Sequence, residues 1–327
     1  MSKNFLPKMT ENTKSDKSTQ EKVAEWLSNE GYPLEFSTAN VFRKNGFQVH
    51  QGYYVQDVQS ETPREVDVLA QMTIHLEKSF LRTCYIVECK WSGDKPWVVF
   101  TSPQHHIAPS ACVTQTIGSE TGETILWSLA GDKLIQSLDT FNTPDCPGFN
   151  GRQVFSKGND TFYCAMQSVA SSANSLAKDY NRGNRTLQAT LHLAIVIFPV
   201  IVIEGLLFTA SYNEQTKKID LENSEHVRIH WRGAETSKFP FTTIDLVTVS
   251  HLEEFVSKRR IETKTLLHHM KTSLEQLQEC VRVKSLEPLS VISGGRGITG
   301  LPPLLVKIRA LSKETKSGKL PEPPDES

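Results

Sequence analysis

The stretch that decides the fold is EVDVLAQMTIHLEKSFLRTCYIVECKW, residues 65–91. Two runs within it, 65–76 and 84–91, are rich in β-branched and aromatic residues and are separated by polar residues, which is typical of neighbouring strands. A third run of this kind, FQVHQGYYVQD at 47–57, comes before them. The three runs predict an antiparallel meander.

Two acids and a lysine interrupt the apolar runs at Asp67, Glu88 and Lys90. A buried carboxylate without a partner is costly, so an acid in the middle of such a strand needs a reason. Because side chains alternate along a strand, Glu88 and Lys90 share one side and Cys89 lies on the other. If the two strands pair, the carboxylates of Asp67 and Glu88 meet at one end of the sheet.

Two carboxylates at one sheet edge form an oxygen-rich site suited to Mg²⁺, with Mn²⁺ as the alternative. We expect Asp67 and Glu88 to hold the metal, together with the backbone carbonyl of Cys89. Lys90 would lie beside the attacking water, where it could orient the water or help to deprotonate it. Glu35, on the core-facing side of a predicted helix at 34–44, could approach the same place.

These residues resemble the restriction-endonuclease-like, or PD-(D/E)XK, nuclease superfamily. The resemblance lies in Glu35, in REVD ending at Asp67, and in VECK, which contains Glu88 and Lys90, with D-x20-E-x-K spacing. It extends over residues 21–91 and over a predicted helix and strand at 161–203, and it covers the rest of the chain poorly. The literal Pro-Asp of the family is absent, since a valine precedes Asp67.

The resemblance implies a Mg²⁺-dependent endonuclease that hydrolyses phosphodiester bonds in DNA, with RNA as a less favoured substrate. By this resemblance, Asp67, Glu88 and the Cys89 carbonyl would hold the metal, and Lys90 would assist the attacking water. Glu35 would be the acid that the family commonly carries on its first helix. It also implies a restriction-endonuclease-like core, an α/β domain with a mixed central β-sheet flanked by helices. The alternative is a scaffold of the same fold that binds nucleic acid or protein without cutting.

Each strand residue also has a purely structural interpretation. Asp67 could pair with Arg64 or with another base, an ordinary acid–base contact. Glu88 and Lys90 could form a same-face salt bridge, worth about 0–1 kcal/mol if it is exposed. Glu65 shares a face with Asp67 and could assist it or take its place.

A helix predicted at 161–180 would pack beside the site. Gln167 on this helix, and Lys178 and Arg182 near its end, are candidate contacts to substrate. Cations at a helix C-terminus are also favoured by the helix dipole, as is an acid such as Glu35 in the first turn. A single glutamine on such a helix is more often an ordinary half-buried residue.

The chain divides into segments of different character. We expect a disordered tail at 1–18, a nuclease-like domain at 19–255, a C-terminal helix at 256–285 and a mobile tail with short ordered pieces at 286–327. Within the domain, residues 92–158 read as an irregular insert with one short helix at about 124–138.

The formal net charge is −1 over 327 residues, so any positive surface for nucleic acid must be local. The basic helix residues at 258–271 could form such a surface, and a solvated helix face is the alternative.

Residues 191–210, LHLAIVIFPVIVIEGLLFTA, are nearly apolar enough for a membrane span. Their β-branched residues favour two buried strands separated by Pro199, and Glu204 would be costly in lipid.

The six cysteines contain no C-x-x-C pair, and no apolar leader begins the chain. The sequence therefore predicts a cytoplasmic protein with reduced thiols and no membrane contact, whose partner is nucleic acid; a homo-oligomer is compatible with it.

Overall fold

The computed structural model describes residues 17–57, 62–156, 158, 160–182, 186–232, 241–290, 294–295 and 299–317. Within these residues the strands are β1 (Gln48–Gln56), β2 (Pro63–His75), β3 (Phe80–Trp91), β4 (Trp97–Thr101), β5 (Gly148–Gln153), β6 (Leu193–Glu204), β7 (Leu207–Asn213), β8 (Lys218–Ser224), β9 (His226–Trp231) and β10 (Thr242–Thr248). The helices are α1 (Thr19–Asn29), α2 (Tyr32–Lys44), α3 (Pro109–Thr114), α4 (Glu120–Leu129), α5 (Lys133–Ser137), α6 (Thr161–Asn181), α7 (Leu187–Leu191), α8 (Leu252–Val283) and α9 (Pro303–Ser317).

The described strands form one mixed sheet in the order β1-β2-β3-β6-β10-β9-β5-β4-β7-β8. The predicted meander is confirmed, because β1, β2 and β3 pair antiparallel in chain order. On the far side of β3, β6 pairs with it in parallel, and β10 pairs in parallel with β6. The protein is therefore a mixed α/β fold with a large central sheet flanked by helices.

Apolar clusters lie on both faces of the sheet. Residues of α2, α4, α8 and α9 pack on one face. The other face is covered by α6, whose buried residues include Phe162, Val169 and Leu176. The sequence predicted α6 and α8 from their helical spacing of apolar residues, and both are confirmed.

The prediction that Pro199 separates two strands is wrong, because β6 runs through it from Leu193 to Glu204. Backbone N–H groups two residues apart in a strand point in the same direction, so Ile197 shows where an N–H at position 199 would point. The Ile197 N–H donates to the Ile117 carbonyl and therefore faces away from β3. Proline lacks a donor, and a position where no strand hydrogen bond is needed tolerates it. The ladder between β6 and β10 begins only at Val200, so Pro199 interrupts neither neighbouring pair.

The segment 92–158 differs from the irregular insert that we expected. It contributes β4 and β5 to the sheet, and α3, α4 and α5 lie between them. Gly118 and Gly122 let α4 approach β6 closely, since a Cβ on Gly122 would lie 2.0 Å from the Ile195 carbonyl oxygen. The segment is therefore part of the central architecture.

Both ends of the chain contain a helix where the structure describes them. Ser18, at the end of the predicted tail, caps α1 with its side chain, while residues 1–16 lie outside the described residues. In the C-terminal segment, α9 buries Leu304, Leu305 and Ile308 in the core. None of the helices in the described ranges has the length and apolar composition that a bilayer span requires.

Candidate active site

The candidate site lies where β2 and β3 separate. Their ladder ends at the pair Val68 and Val87, while β3 continues beside β6. Beyond that pair, the Cys89 backbone N–H donates to Asp67 Oδ2 at 2.7 Å. The Asp67 carboxylate thus takes the position of the backbone acceptor that β2 no longer supplies, which fixes it between the two strands.

Glu88 lies beside this contact and is 8% exposed. The Lys90 ammonium nitrogen is 2.5 Å from Glu88 Oε1, and the Ser168 hydroxyl on α6 donates to Glu88 Oε2 at 3.0 Å. The same-face salt bridge that we considered is therefore formed. It lies on an interior strand of the sheet, however, where a charged pair is partly removed from water.

A second polar cluster adjoins Glu88 through Ser168. Arg64 donates to Asp57 Oδ2 at 2.9 and 2.6 Å, and one of its nitrogens lies 3.5 Å from the Ser168 hydroxyl. Ser171, one helical turn after Ser168, donates to Asp57 at 2.9 Å. Arg64 thus pairs with Asp57, so the expected alternative in which Arg64 is the partner of Asp67 is wrong.

Sequence reasoning missed Asp57, Ser168 and Ser171. The available signal was the spacing of Ser168 and Ser171, which lie three residues apart and so share one face of α6. Asp57 directly follows β1, and nothing local marks it as a partner of Arg64.

Burial and like charges act together on the carboxylates. Burial, and then the charge of Glu88, raises the pKa of Asp67 from its ordinary 3.8 to about 7, although the Cys89 N–H and Lys90 oppose this. Burial also acts to lower the pKa of Lys90, but the charge of Glu88 and its hydrogen bond outweigh burial and raise that pKa. Lys90 is therefore held in its protonated form.

Glu35 approaches the same cluster from α2. Burial is the largest cause of a raised pKa at Glu35, and the charge of Glu65 is the next. The charge of Lys90 lowers this pKa, and the charge of Glu88 raises it. The Cys89 thiol is buried on the α2 side next to Thr38, opposite Glu88, and burial raises its pKa well above the ordinary value. The structure therefore gathers Glu35, Asp67, Glu88 and Lys90 at one place.

The predicted substrate contacts on α6 are not brought together with the site. Gln167 is half-buried and adjoins Ser168, but Lys178 lies about 15 Å further along the helix axis. Arg182 is exposed and pairs with Asp179 at 3.0 Å. The end of α6 lies near Arg82, at the opposite end of β3, because Tyr180 accepts a hydrogen bond from Arg82 at 3.2 Å.

The gathered side chains suit a hard cation in their chemistry. The carboxylates of Asp67 and Glu88 repel each other in a partly buried setting, and a divalent cation would relieve that repulsion. No set of three or more His, Cys, Asp or Glu side chains in the described part of the chain is arranged to hold a metal ion as it stands. Glu88 would have to exchange its contact with Lys90 for the metal.

Comparisons with protein-family models, with curated proteins and with solved structures find no match for this chain.

Proposed function

We propose that this chain is a metal-dependent endonuclease with a restriction-endonuclease-like core, which hydrolyses phosphodiester bonds in DNA. One observation carries the proposal: the Asp67 carboxylate is fixed by the Cys89 N–H between two separating strands, beside Glu88 and Lys90. This arrangement places two acids and an ammonium group at one opening of the sheet. The cysteines of the chain are all unpaired, in keeping with the cytoplasmic location that we include in the proposal.

Asp67, Glu88 and the carbonyl of Cys89 would hold Mg²⁺ or Mn²⁺, with Glu35 close by. The ion, when bound, would neutralise charge on the phosphate and on the leaving oxygen. Oxygen donors are what both cations favour, and thiol ligands are not needed. The buried Cys89 side chain, which faces α2, takes no part.

The chain's own residues would position the reactants. The protonated Lys90 ammonium would donate hydrogen bonds to the attacking water or to a phosphate oxygen, which orients the water and offsets developing charge. Because its pKa is raised, Lys90 is not suited to remove a proton while it is paired with Glu88. Ser168 would hold Glu88 in place from α6 through its 3.0 Å hydrogen bond.

The test is a cleavage assay with the purified full chain on supercoiled plasmid, linear duplex DNA, single-stranded DNA and RNA. Each substrate is incubated with Mg²⁺, with Mn²⁺ and with EDTA. We expect cation-dependent cutting of DNA, and a loss of at least about 100-fold in rate for Asp67→Asn and Glu88→Gln.

The matched control is Glu77→Gln, an exposed acid in the turn at the other end of the same hairpin. It should cut at the wild-type rate. Failure to cut any of the four substrates would reject the proposal, and so would full activity in the Asp67→Asn protein. Cutting of RNA alone would move the assignment to an RNA nuclease.

The second candidate function is a binding scaffold that does not cut. The observation in its favour is that both Glu88 oxygens are already engaged, by Lys90 and by Ser168. Isothermal titration with Mg²⁺ and with Mn²⁺ separates the two candidates. Heat from neither cation, together with retained binding of DNA, would favour the scaffold.

A further inference from the structure

The sheet ends at β8, and among the described residues no strand covers its outer edge. Among the described strands, β7 alone pairs with it, in an antiparallel register in which Ile219 faces Tyr212 and Leu221 faces Ala210. An uncovered edge strand presents a row of backbone donors and acceptors to a partner chain. Every residue of β8 before Ser224 is exposed, so this edge is accessible along its length.

One face of this hairpin is also apolar. Tyr212, Ile219 and Leu221 lie on the same face by strand alternation and pairing, and they are 64%, 72% and 57% exposed. Charged residues usually protect an edge strand, but in β8 they occupy only the opposite face, as Lys218, Asp220 and Glu222. An exposed apolar patch beside an open edge is typical of an interaction surface.

The charged and apolar residues of β8 together suit a partner of the same sequence. If two copies pair antiparallel with Asp220 on the two-fold axis, Lys218 of each copy faces Glu222 of the other. In the same register Ile219 faces Leu221, so apolar residues also meet across the junction. With Leu221 on the axis, Asp220 would face Glu222 twice, and like charges directly opposite are destabilising.

We propose that β8 pairs with β8 of a second copy of this chain, in the register centred on Asp220. Asp220 lies next to its own copy there, but its carboxylate already accepts a hydrogen bond from Asn213 at 2.8 Å, which turns it toward its own hairpin. The contact joins two sheets edge to edge, with the apolar patches adjacent. Such self-complementary contacts are the normal form of a two-fold interface.

The dimer should be weak and concentration-dependent. A strand pair of this length buries less than the roughly 1,200–2,000 Å² of a standard stable interface. In the strand order, β8 is at one end of the sheet, and the candidate active site lies near the other end, at β2 and β3. Dimerisation is thus independent of the proposed nuclease activity, and its failure would leave that proposal untouched.

Charge reversal tests the register. Sedimentation velocity of the full chain, at concentrations up to about 1 mM, should show a dimer fraction that rises with concentration. Lys218→Glu and Glu222→Lys should each weaken association at least fivefold, because each creates two like-charge pairs. The double reversal should restore it, which a loss of folding could not mimic.

A chain that remains monomeric over this range overturns the proposal. Single reversals that leave the dimer unchanged would do so as well.

Disulfide cross-linking provides a second, independent test of the register. In a chain with the exposed Cys146 and Cys164 replaced by serine, Asp220→Cys places two thiols opposite each other across the axis. Mild oxidation should then give a covalent dimer much faster than in the matched Glu222→Cys protein, whose thiols lie several residues apart in this register. Equal rates for the two variants would overturn the register.

Discussion

Lys90 Nζ lies 2.5 Å from Glu88 Oε1, two residues back along the same strand. The ammonium group therefore occupies the carboxylate oxygen that a metal ion would bind. Under the proposed function, Lys90 and the cation compete for Glu88, although both serve the same reaction. Binding of metal and rate of cutting should then respond in opposite directions when the lysine is removed.

Replacement of Lys90 by glutamine should tighten Mg²⁺ binding several-fold while it lowers the cutting rate by at least about 100-fold. Removal of a positive charge would leave the acids free to attract the cation, but under the proposed function the attacking water would lose its donor. Titration calorimetry measures the first effect and single-turnover cleavage the second. The matched control is Lys95→Gln, an exposed lysine in the turn after β3. Weaker Mg²⁺ binding in the Lys90→Gln protein would contradict the competition.

Asp67 should make the folded protein less stable as the pH rises. Its pKa is about 7 in the folded chain and near 3.8 when unfolded. Between these values the unfolded chain has released a proton that the folded chain still holds, so stability falls as pH increases through this window. Above about pH 7, the stability that the protonated Asp67 contributes is fully lost.

Asp67→Asn removes this penalty and retains an acceptor for the Cys89 N–H. We expect it to be more stable than wild type by roughly 1–3 kcal/mol at pH 8 in EDTA, and equal to it near pH 4. Urea unfolding at several pH values measures the difference, with Glu77→Gln as the control. A constant difference across the whole range would show that Asp67 does not titrate in this way.

Much of the sheet near the site could be predicted because its signals are local. The runs that became β1, β2 and β3 carry β-branched and aromatic residues and follow each other by short turns, so chain order equals sheet order. The spacing of apolar residues in α6 and α8 is also a local property. For the same reason, strand alternation alone placed Glu88 and Lys90 on one side.

The segment 92–158 could not be predicted in this way, because its strands depend on distant partners. GFNGRQ at Gly148–Gln153 reads as a loop, yet a Cβ on Gly151 would lie 2.6 Å from both a ring carbon of Phe162 and the Val98 carbonyl oxygen. Glycine is present there because α6 and β4 pack directly on this strand. Turn-forming composition and close packing have the same sequence signature, and only the tertiary structure separates them.

Gly122 allows a test of that close packing. Helix propensity alone predicts that alanine in α4 would stabilise the protein by about 1 kcal/mol. The structure predicts the opposite sign, since the new Cβ would lie 2.0 Å from the Ile195 carbonyl oxygen of β6. We expect Gly122→Ala to lower the free energy of unfolding by about 2–3 kcal/mol. Gly300→Ala, where no atom of the described residues lies within 4 Å, is the control, and a stabilised Gly122→Ala protein would refute the contact.

The charges of α8 also required the tertiary structure. Lys258, Arg259 and Arg260 read as one basic face, for nucleic acid or for solvent. Arg259 is instead buried, with Glu262 Oε2 at 2.6 Å and Asp245 Oδ2 at 3.3 Å. It thus joins α8 to β10, and the pKa of Asp245 is held well below its ordinary value, against the effect of burial, by the charges of Arg228 and Arg259.

Arg259→Met should therefore destabilise the protein by about 3–5 kcal/mol, since it leaves the buried Glu262 without this partner and Asp245 with less compensation. Arg260→Met is the matched control, because the neighbouring arginine is exposed and methionine suits a helix equally well; we expect a change within about 0.5 kcal/mol. Chemical denaturation at pH 7 compares the two variants. If the residues formed one solvated basic face, both substitutions would have the same small effect, and the buried ion pair would have no part in fixing α8 to the sheet.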